Sequence, residues 1–222
     1  MKKSKHAVET KNLSISWGEL NVLNKINLKL CEGEKLAIVG PSGSGKSTIL
    51  KILAGLILPT EGQLKIFGQT QTYLRLDQNN PPDVRLVFQN PALLGSLNIE
   101  ENVGFLLQKN KNLSKKFIQE IVKECLGEVG LFNIEKKLPN ELSGGMQKRV
   151  SFARALIAEQ DSNKKNRPLL LFDEPTAGLD PIASSRIEDL INKTNNKANG
   201  SSIVVSHVLS TIERTSDKVL ML

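Results

Sequence analysis

The stretch Gly40-Pro41-Ser42-Gly43-Ser44-Gly45-Lys46-Ser47-Thr48 limits the possible folds more than any other part of the chain. It fits the pattern G-x-x-x-x-G-K-[ST] and stands between a short apolar run, Lys35 to Val39, and the segment Ser47 to Leu58, whose apolar residues recur at helical spacing. Buried strand, glycine-rich loop and helix in that order form a unit that wraps phosphates. The glycines let backbone N–H groups face inward and the helix start adds positive potential. Lys46 is placed to neutralise terminal phosphate oxygens, and the Ser47 hydroxyl to ligate Mg2+.

The rest of the chain supplies a setting for that unit. Val8 to Trp17 and Ile26 to Leu30 read as strands and Glu32-Gly33-Glu34 as a turn, so an antiparallel β layer is expected at the N-terminal end. Gln63 to Phe67 and Val84 to Phe88 read as further strands. From Ile99 to Leu131 the pattern is helical, with Ser114 a candidate N-cap for Lys115 to Val129, and Gly144 to Ala158 is helical again. Leu169 to Phe172 is a wholly apolar strand, Pro181 to Asn192 a helix and Ile203 to Val205 another buried strand. Alternating strands and helices predict an α/β fold whose parallel core sheet is flanked by helices. At 222 residues the chain is expected to form one domain, 1–222, with a helical subdomain at about 90–160; Glu159 to Arg167 reads as a loop.

Composition excludes several classes. Cys31 and Cys125 have neither disulfide-framework nor metal-ligand spacing. No apolar run is long enough to span a membrane, and the basic start Met1 to His6 is followed by Glu9, Lys11 and Asn12 rather than by the apolar stretch of a secretory signal. The net charge of +7 comes from lysines scattered among Glu and Asp, which reads as solvated surface and not as a nucleic-acid site.

A second chemical feature lies far along the chain. Leu169-Leu170-Leu171-Phe172 runs into Asp173 and Glu174, and burying a carboxylate without a cation is costly. A metal resolves that cost: Asp173 can hold Mg2+ through water while Glu174 polarises an attacking water as general base.

Leu142-Ser143-Gly144-Gly145-Met146-Gln147 resembles the LSGGQ-like signature of the ABC ATPases, with Met146 in place of the usual Gln. Two glycines at a helix start allow close approach to phosphate, and the Ser143 hydroxyl and helix dipole complement γ oxygens. The resemblance continues, in the family's order, through Gln89 (the Q-loop), Gly178-Leu179-Asp180 (the D-loop) and Ser206-His207 (the H-switch). It implies a P-loop fold of ABC type binding ATP and Mg2+, with Gln89 sensing metal and water, His207 contacting the γ-phosphate and Asp180 both in the D-loop and capping a helix. Trp17 stands where the family places an aromatic on adenine, the competing reading being a core tryptophan. In the family each ATP lies between one subunit's phosphate loop and the other's signature, so the resemblance implies a homodimer or a paired heterologous subunit.

Three stretches are similar to the ATPases of MCE-type lipid-transport systems, including their cyanobacterial and plastid members. They are Val87 to Leu97 with Glu101 to Phe105; Asp173 to Ser184 with Ile187 to Ile191; and Ser206-His207 with Ser210 to Arg214. The long loop Glu159 to Pro168 is similar to the plastid-like branch. The resemblance implies lipid transport powered by ATP hydrolysis, multi-span permease subunits, an MCE-domain lipid-binding protein, and a peripheral position on the cytoplasmic or stromal face of an inner membrane. Amino-acid importers and cell-division ABC subunits share much of this framework and are the alternative. Subunits of this type continue past the strand at Lys218 to Leu222, so this version is either short or truncated.

Overall fold

Strand β8 (Leu169–Asp173) is buried along its whole length. Its period-2 alternation divides it between two cores. Leu169 and Leu171 join Ile203, Val205, Leu36 and Ile38 on one face, while Leu170 and Phe172 join Val204 and Val87 on the other. A strand with no polar face belongs in the middle of a parallel sheet covered on both sides, as expected from the sequence.

The computed structural model describes residues 6–109, 113–157, 168–198 and 200–222. The central sheet is parallel throughout, in the order β10 (Lys218–Met221), β4 (Lys35–Val39), β9 (Ser201–Val205), β8, β7 (Val84–Val87). The expected antiparallel layer is built on β1 (His6–Trp17), which pairs with β2 (Leu20–Ile26), β3 (Lys29–Cys31) and β5 (Glu61–Ile66); β6 (Gln69–Thr70) pairs with β5. Together with α1 (Lys46–Leu53), this layer closes the first core. The second core is closed by α5 (Pro181–Ala198) and by three helices that pack on one another, α2 (Ile99–Gly104), α3 (Lys115–Glu128) and α4 (Gly144–Ile157). A short helix, α6 (Leu209–Thr215), packs on α5.

The structure differs from the sequence pattern at several element ends, each with a local cause. The run Ile26 to Leu30 is divided between β2 and β3: Lys25 has φ 48°, and the Asn27 amide donates to the Lys25 carbonyl while its oxygen accepts from Asn12 N–H. Helix α1 ends at Leu53 and not at Leu58. Gly55 takes φ +71°, its N–H bonds to the Ile52 carbonyl and that of Leu56 to the Lys51 carbonyl, a Schellman stop. Within the helical stretch Ile99 to Leu131 the chain forms two α-helices, the second starting at the expected Ser114 cap. Asn98 and Glu101 make a reciprocal capping box at the first, and Ser114 accepts from Phe117 N–H at 3.2 Å at the second. Gly104 sits where an added Cβ would lie 3.2 Å from Ile118 and Val122, so its lack of a side chain lets α2 and α3 approach closely. Helix α5 runs on to Ala198. Met1 to Lys5, Ala158 and the loop Glu159 to Arg167 lie outside the described residues.

Phe152 of α4 and Phe172 of β8 are each 1% exposed and stack with ring centroids 5.4 Å apart, joining the helical layer to the sheet. Phe152→Ala is expected to cost about 3–5 kcal/mol of stability. A lowered urea midpoint at unchanged slope would report it; an unchanged midpoint would mean that this pair does not couple helix and sheet.

Candidate functional site

Parallel pairing brings the carboxyl ends of four strands to one edge. Ile38 lies opposite Val205, Val205 opposite Asp173, and Val87 opposite Phe172, so the segments that follow β4, β9, β8 and β7 all leave the sheet on the same side. Those segments begin with Gly40, Ser206-His207, Glu174 and Phe88-Gln89. This is where open α/β sheets bind ligands.

The phosphate loop is shaped by positions that admit no side chain. At Gly45, φ +91°, a Cβ would lie 2.6 Å from Leu23 Cδ2 and 3.0 Å from the Val22 carbonyl; at Gly40 it would lie 2.8 Å from Ser44 Oγ. Strand β2 therefore presses directly on the loop. Lys46 Nζ donates to the Gly40 carbonyl at 2.9 Å and to the Pro41 carbonyl at 2.8 Å, which clamps the loop and leaves the third ammonium hydrogen for an anion. Ser44 Oγ is buried without a hydrogen-bond partner, a polar atom aimed into the loop with nothing to bind. Pro41, Ser42 and Gly43 are exposed, and Thr48 is half-buried in the first turn of α1.

Ser47 Oγ donates to Asp173 Oδ1 at 3.0 Å, tying the start of α1 to the end of β8. Burial pushes the Asp173 carboxyl above its usual range, with the Glu174 charge adding to it; the Ser47 bond and, more weakly, Lys51 and Lys46 oppose the shift. A hydroxyl and a desolvated carboxylate side by side are the oxygen donors that a hard cation such as Mg2+ takes. Among the described residues no cluster of three or more His, Cys, Asp or Glu side chains could hold a metal.

Glu174 has φ 45°, in the left-handed region unusual for a residue with a side chain, and its N–H bonds to the Val205 carbonyl at 2.9 Å. His207 Nδ1 lies 3.0 Å from both carboxylate oxygens, with hydrogen-bond geometry to Oε1. The carboxylate is 12% exposed and the imidazole 68% exposed, so the histidine covers the carboxylate and itself faces solvent.

The other candidates fall into place around this edge. Gln89 is exposed just past β7. Trp17 is 56% exposed at the tip of the β1–β2 hairpin that leans on the loop, which removes the core reading. Asp180 Oδ1 accepts from the N–H groups of Ile182 and Ala183 at 3.0 and 2.9 Å, capping α5. Ser143 and Gly144 are exposed, Ser143 Oγ accepts from Met146 N–H at 3.3 Å, and an added Cβ on Gly145 would lie 3.9 Å from Leu179. The signature segment thus touches the D-loop turn, and its own hydrogen bonds stay within α4 and the turn before it.

Sequence reasoning passed over Lys148, which donates from α4 to the Ala177 carbonyl. Desolvation lowers its pKa and the nearby Glu174 charge opposes that. Its partner is a backbone atom, for which no side-chain pattern exists.

Residues 23–177 match the family model described as ABC transporter. The chain belongs to that family. It is similar to Protein TRIGALACTOSYLDIACYLGLYCEROL 3, chloroplastic, of Arabidopsis thaliana, 44% identical over 97% of this chain and 65% of that protein. It is also similar to the intermembrane phospholipid transport system ATP-binding protein MlaF of Haemophilus influenzae, 35% identical over 96% of this chain and 79% of that one. Among solved structures it resembles the ATP-binding cassette MJ0796 in a dimeric post-hydrolysis state bound to ADP and Pi, with TM-score 0.82, 31% identity and coverage of 97% and 94%. Among the described residues no helix is long and apolar enough to cross a membrane.

The Asp173 shift has a testable sign. A carboxyl whose folded pKa lies above its unfolded value binds more protons when folded, so its charge lowers stability as pH rises. Asp173→Asn is therefore expected to raise the melting temperature of the nucleotide-free protein at neutral pH, by an amount that shrinks on acidification. A variant that melts lower than the parent at neutral pH would overturn the assignment of Asp173 as a burdened anion.

Proposed function

We propose that the chain is the ATP-binding and ATP-hydrolysing subunit of an ABC transporter, working as a head-to-tail homodimer that powers lipid transport. The Glu174 carboxylate held against His207, beside the Ser47–Asp173 pair and the phosphate loop, carries the reading. In it, the N–H groups of Ser42 to Thr48 and Lys46 hold the phosphates, and Trp17 packs on the base. Ser47, Asp173 and Gln89 would hold Mg2+, which when bound neutralises phosphate charge. Glu174 accepts the proton of the attacking water, and His207 places its exposed ring edge toward the γ-phosphate. The exposed Ser143 and Gly144 and the half-buried Gly145, together with Asp180, would close the site of the other copy. The dimeric cassette that the fold matches supports that arrangement.

Lipid as cargo is supported by the relatives, whose names refer to trigalactosyldiacylglycerol and to intermembrane phospholipid transport. The partners in this reading are multi-span permease subunits and an MCE-domain protein. The chain would sit peripherally on the cytoplasmic or stromal face of an inner membrane.

Glu174→Gln is expected to keep MgATP affinity, lower turnover by about 10²–10⁴-fold and accumulate an ATP-bound dimer on size exclusion. Turnover at the parent rate would remove Glu174 from the base role. Lys46→Ala is expected instead to lose nucleotide affinity. Affinity purification of the tagged chain from its native membrane is expected to recover an MCE-domain protein, a permease and phospholipid; recovery of a solute-binding protein in their place would keep the ATPase and replace the cargo.

A further inference from the structure

Two stretches set apart in the sequence, Ile187 to Ile191 and Ser210 to Arg214, turn out to be each other's partners. Glu188 of α5 is 2% exposed and holds α6 through both oxygens. Oε1 accepts from Thr211 Oγ1 at 2.8 Å and from Ser210 Oγ at 3.4 Å, and Oε2 accepts from Arg214 Nη1 at 2.9 Å. Arg214 in turn donates to Ser185 Oγ at 2.7 Å and to Asp189 Oδ1 at 2.6 Å. A buried carboxylate with a shared guanidinium is a firm anchor between two helices.

The anchor extends toward the reaction site. Thr211 Oγ1 lies 2.9 Å from Thr176 Oγ1; Thr176 is 3% exposed and Thr211 fully buried. The direction of the bond follows from hydrogen count. The Glu188 carboxylate, paired with the Arg214 guanidinium, accepts, so the single Thr211 hydroxyl proton goes to it and Thr176 donates to Thr211. Thr176 lies two residues after Glu174 and Thr211 four residues after His207. The segments that carry the carboxylate and the imidazole are thus joined twice, once by the Glu174–His207 contact on the exposed side and once by a buried hydroxyl chain ending on Glu188.

We infer that Thr176, Thr211 and Glu188 are positioning residues: the chain Thr176 to Thr211 to Glu188 sets the separation of Glu174 and His207 and thereby the rate of hydrolysis, without touching nucleotide. This rests on the proposed roles of Glu174 and His207. The left-handed backbone of Glu174 gives such a chain something to hold, because a strained conformation persists only where its surroundings over-determine it.

The test is steady-state ATP hydrolysis by the purified full chain, with MgATP affinity measured separately on the same samples. Thr211→Val keeps the volume and removes the hydroxyl, and is expected to lower kcat at least tenfold with KM and nucleotide affinity within twofold of the parent. Thr211→Ser restores the hydroxyl and is expected to recover most of the rate, which a packing role alone would not produce. Thr176→Val, which leaves the Thr211–Glu188 bond in place, serves if Thr211→Val does not fold, and is expected to show the same split. Where both fold, the double variant is expected to be no slower than the slower single one. Parent kcat in the valine variants, or a loss that Thr211→Ser does not repair, overturns the inference. Glu174→Gln run alongside separates the two failures: if it hydrolyses at the parent rate the base assignment has failed, whereas an inactive Glu174→Gln beside an active Thr211→Val condemns the hydroxyl chain alone.

Discussion

The site depends first on a carboxylate buried at the end of an apolar strand. Strand β8 has no polar residue before Asp173, and both of its faces are packed. A slip of one residue against β9 or β7 would exchange the two faces along the whole strand and draw Asp173 toward the interior. Register is thus held by the cost of burying charge as well as by side-chain shape. Fixing β8 also fixes where α1 begins relative to it, because Ser47 is the hydrogen-bond donor that Asp173 keeps. The phosphate loop, which spans β4 and α1, is thereby placed before any nucleotide arrives.

From that point the arrangement spreads by backbone bonds. The Glu174 N–H to Val205 carbonyl bond continues the pairing of β8 with β9 one residue past the strand and holds Glu174 in its unusual conformation. The same strand β9 then delivers His207, so the ladder brings imidazole and carboxylate to the same edge and leaves their final separation to the contacts beyond the strand ends. Their difference in exposure follows from position: Glu174 is the first residue past β8 and is still bonded to β9, whereas His207 stands one residue farther out, beyond a buried Ser206 whose hydroxyl accepts from Val208 N–H.

Much of this was legible in the sequence because its signals are local. The glycine-rich loop between strand and helix, the apolar run into Asp173-Glu174 and the Ser114 cap each depend on neighbours a few residues away, and each lies where the pattern put it. The failures are also local, in features whose outcome depends on tertiary fit. Lys25 and Asn27 divide a run that composition alone joins, and the early end of α1 depends on Gly55, against which the 70–83 segment packs, with an added Cβ 3.1 Å from that of Arg75. Trp17 was open to two readings because hydrophobicity alone does not distinguish a core aromatic from an exposed one; solvent exposure does. The Thr176, Thr211 and Glu188 chain joins residues 12 to 35 apart in sequence across three elements, and nothing in the spacing of a threonine announces a partner at that range.

Helix α4 shows how a second layer can matter to the edge it does not build. The exposed Ser143 precedes it and the exposed Gly144 opens its first turn, its next turn reaches Lys148, and its middle is locked to the sheet by Phe152 on Phe172. The Lys148 ammonium is withdrawn from water to bond the Ala177 carbonyl, and Gly145 approaches Leu179, so the turn between Glu174 and α5 is held from the helical side as well as by Asp180. A shift of α4 that keeps these contacts carries that turn with it. A shift that breaks them returns an ammonium and a carbonyl to water and leaves the turn to its sheet-side anchors, among them Thr176 and the cap of α5. Small movements of the helical layer therefore reach the residues beside Glu174 by a short path of named contacts, while the stacked aromatics keep larger movements costly.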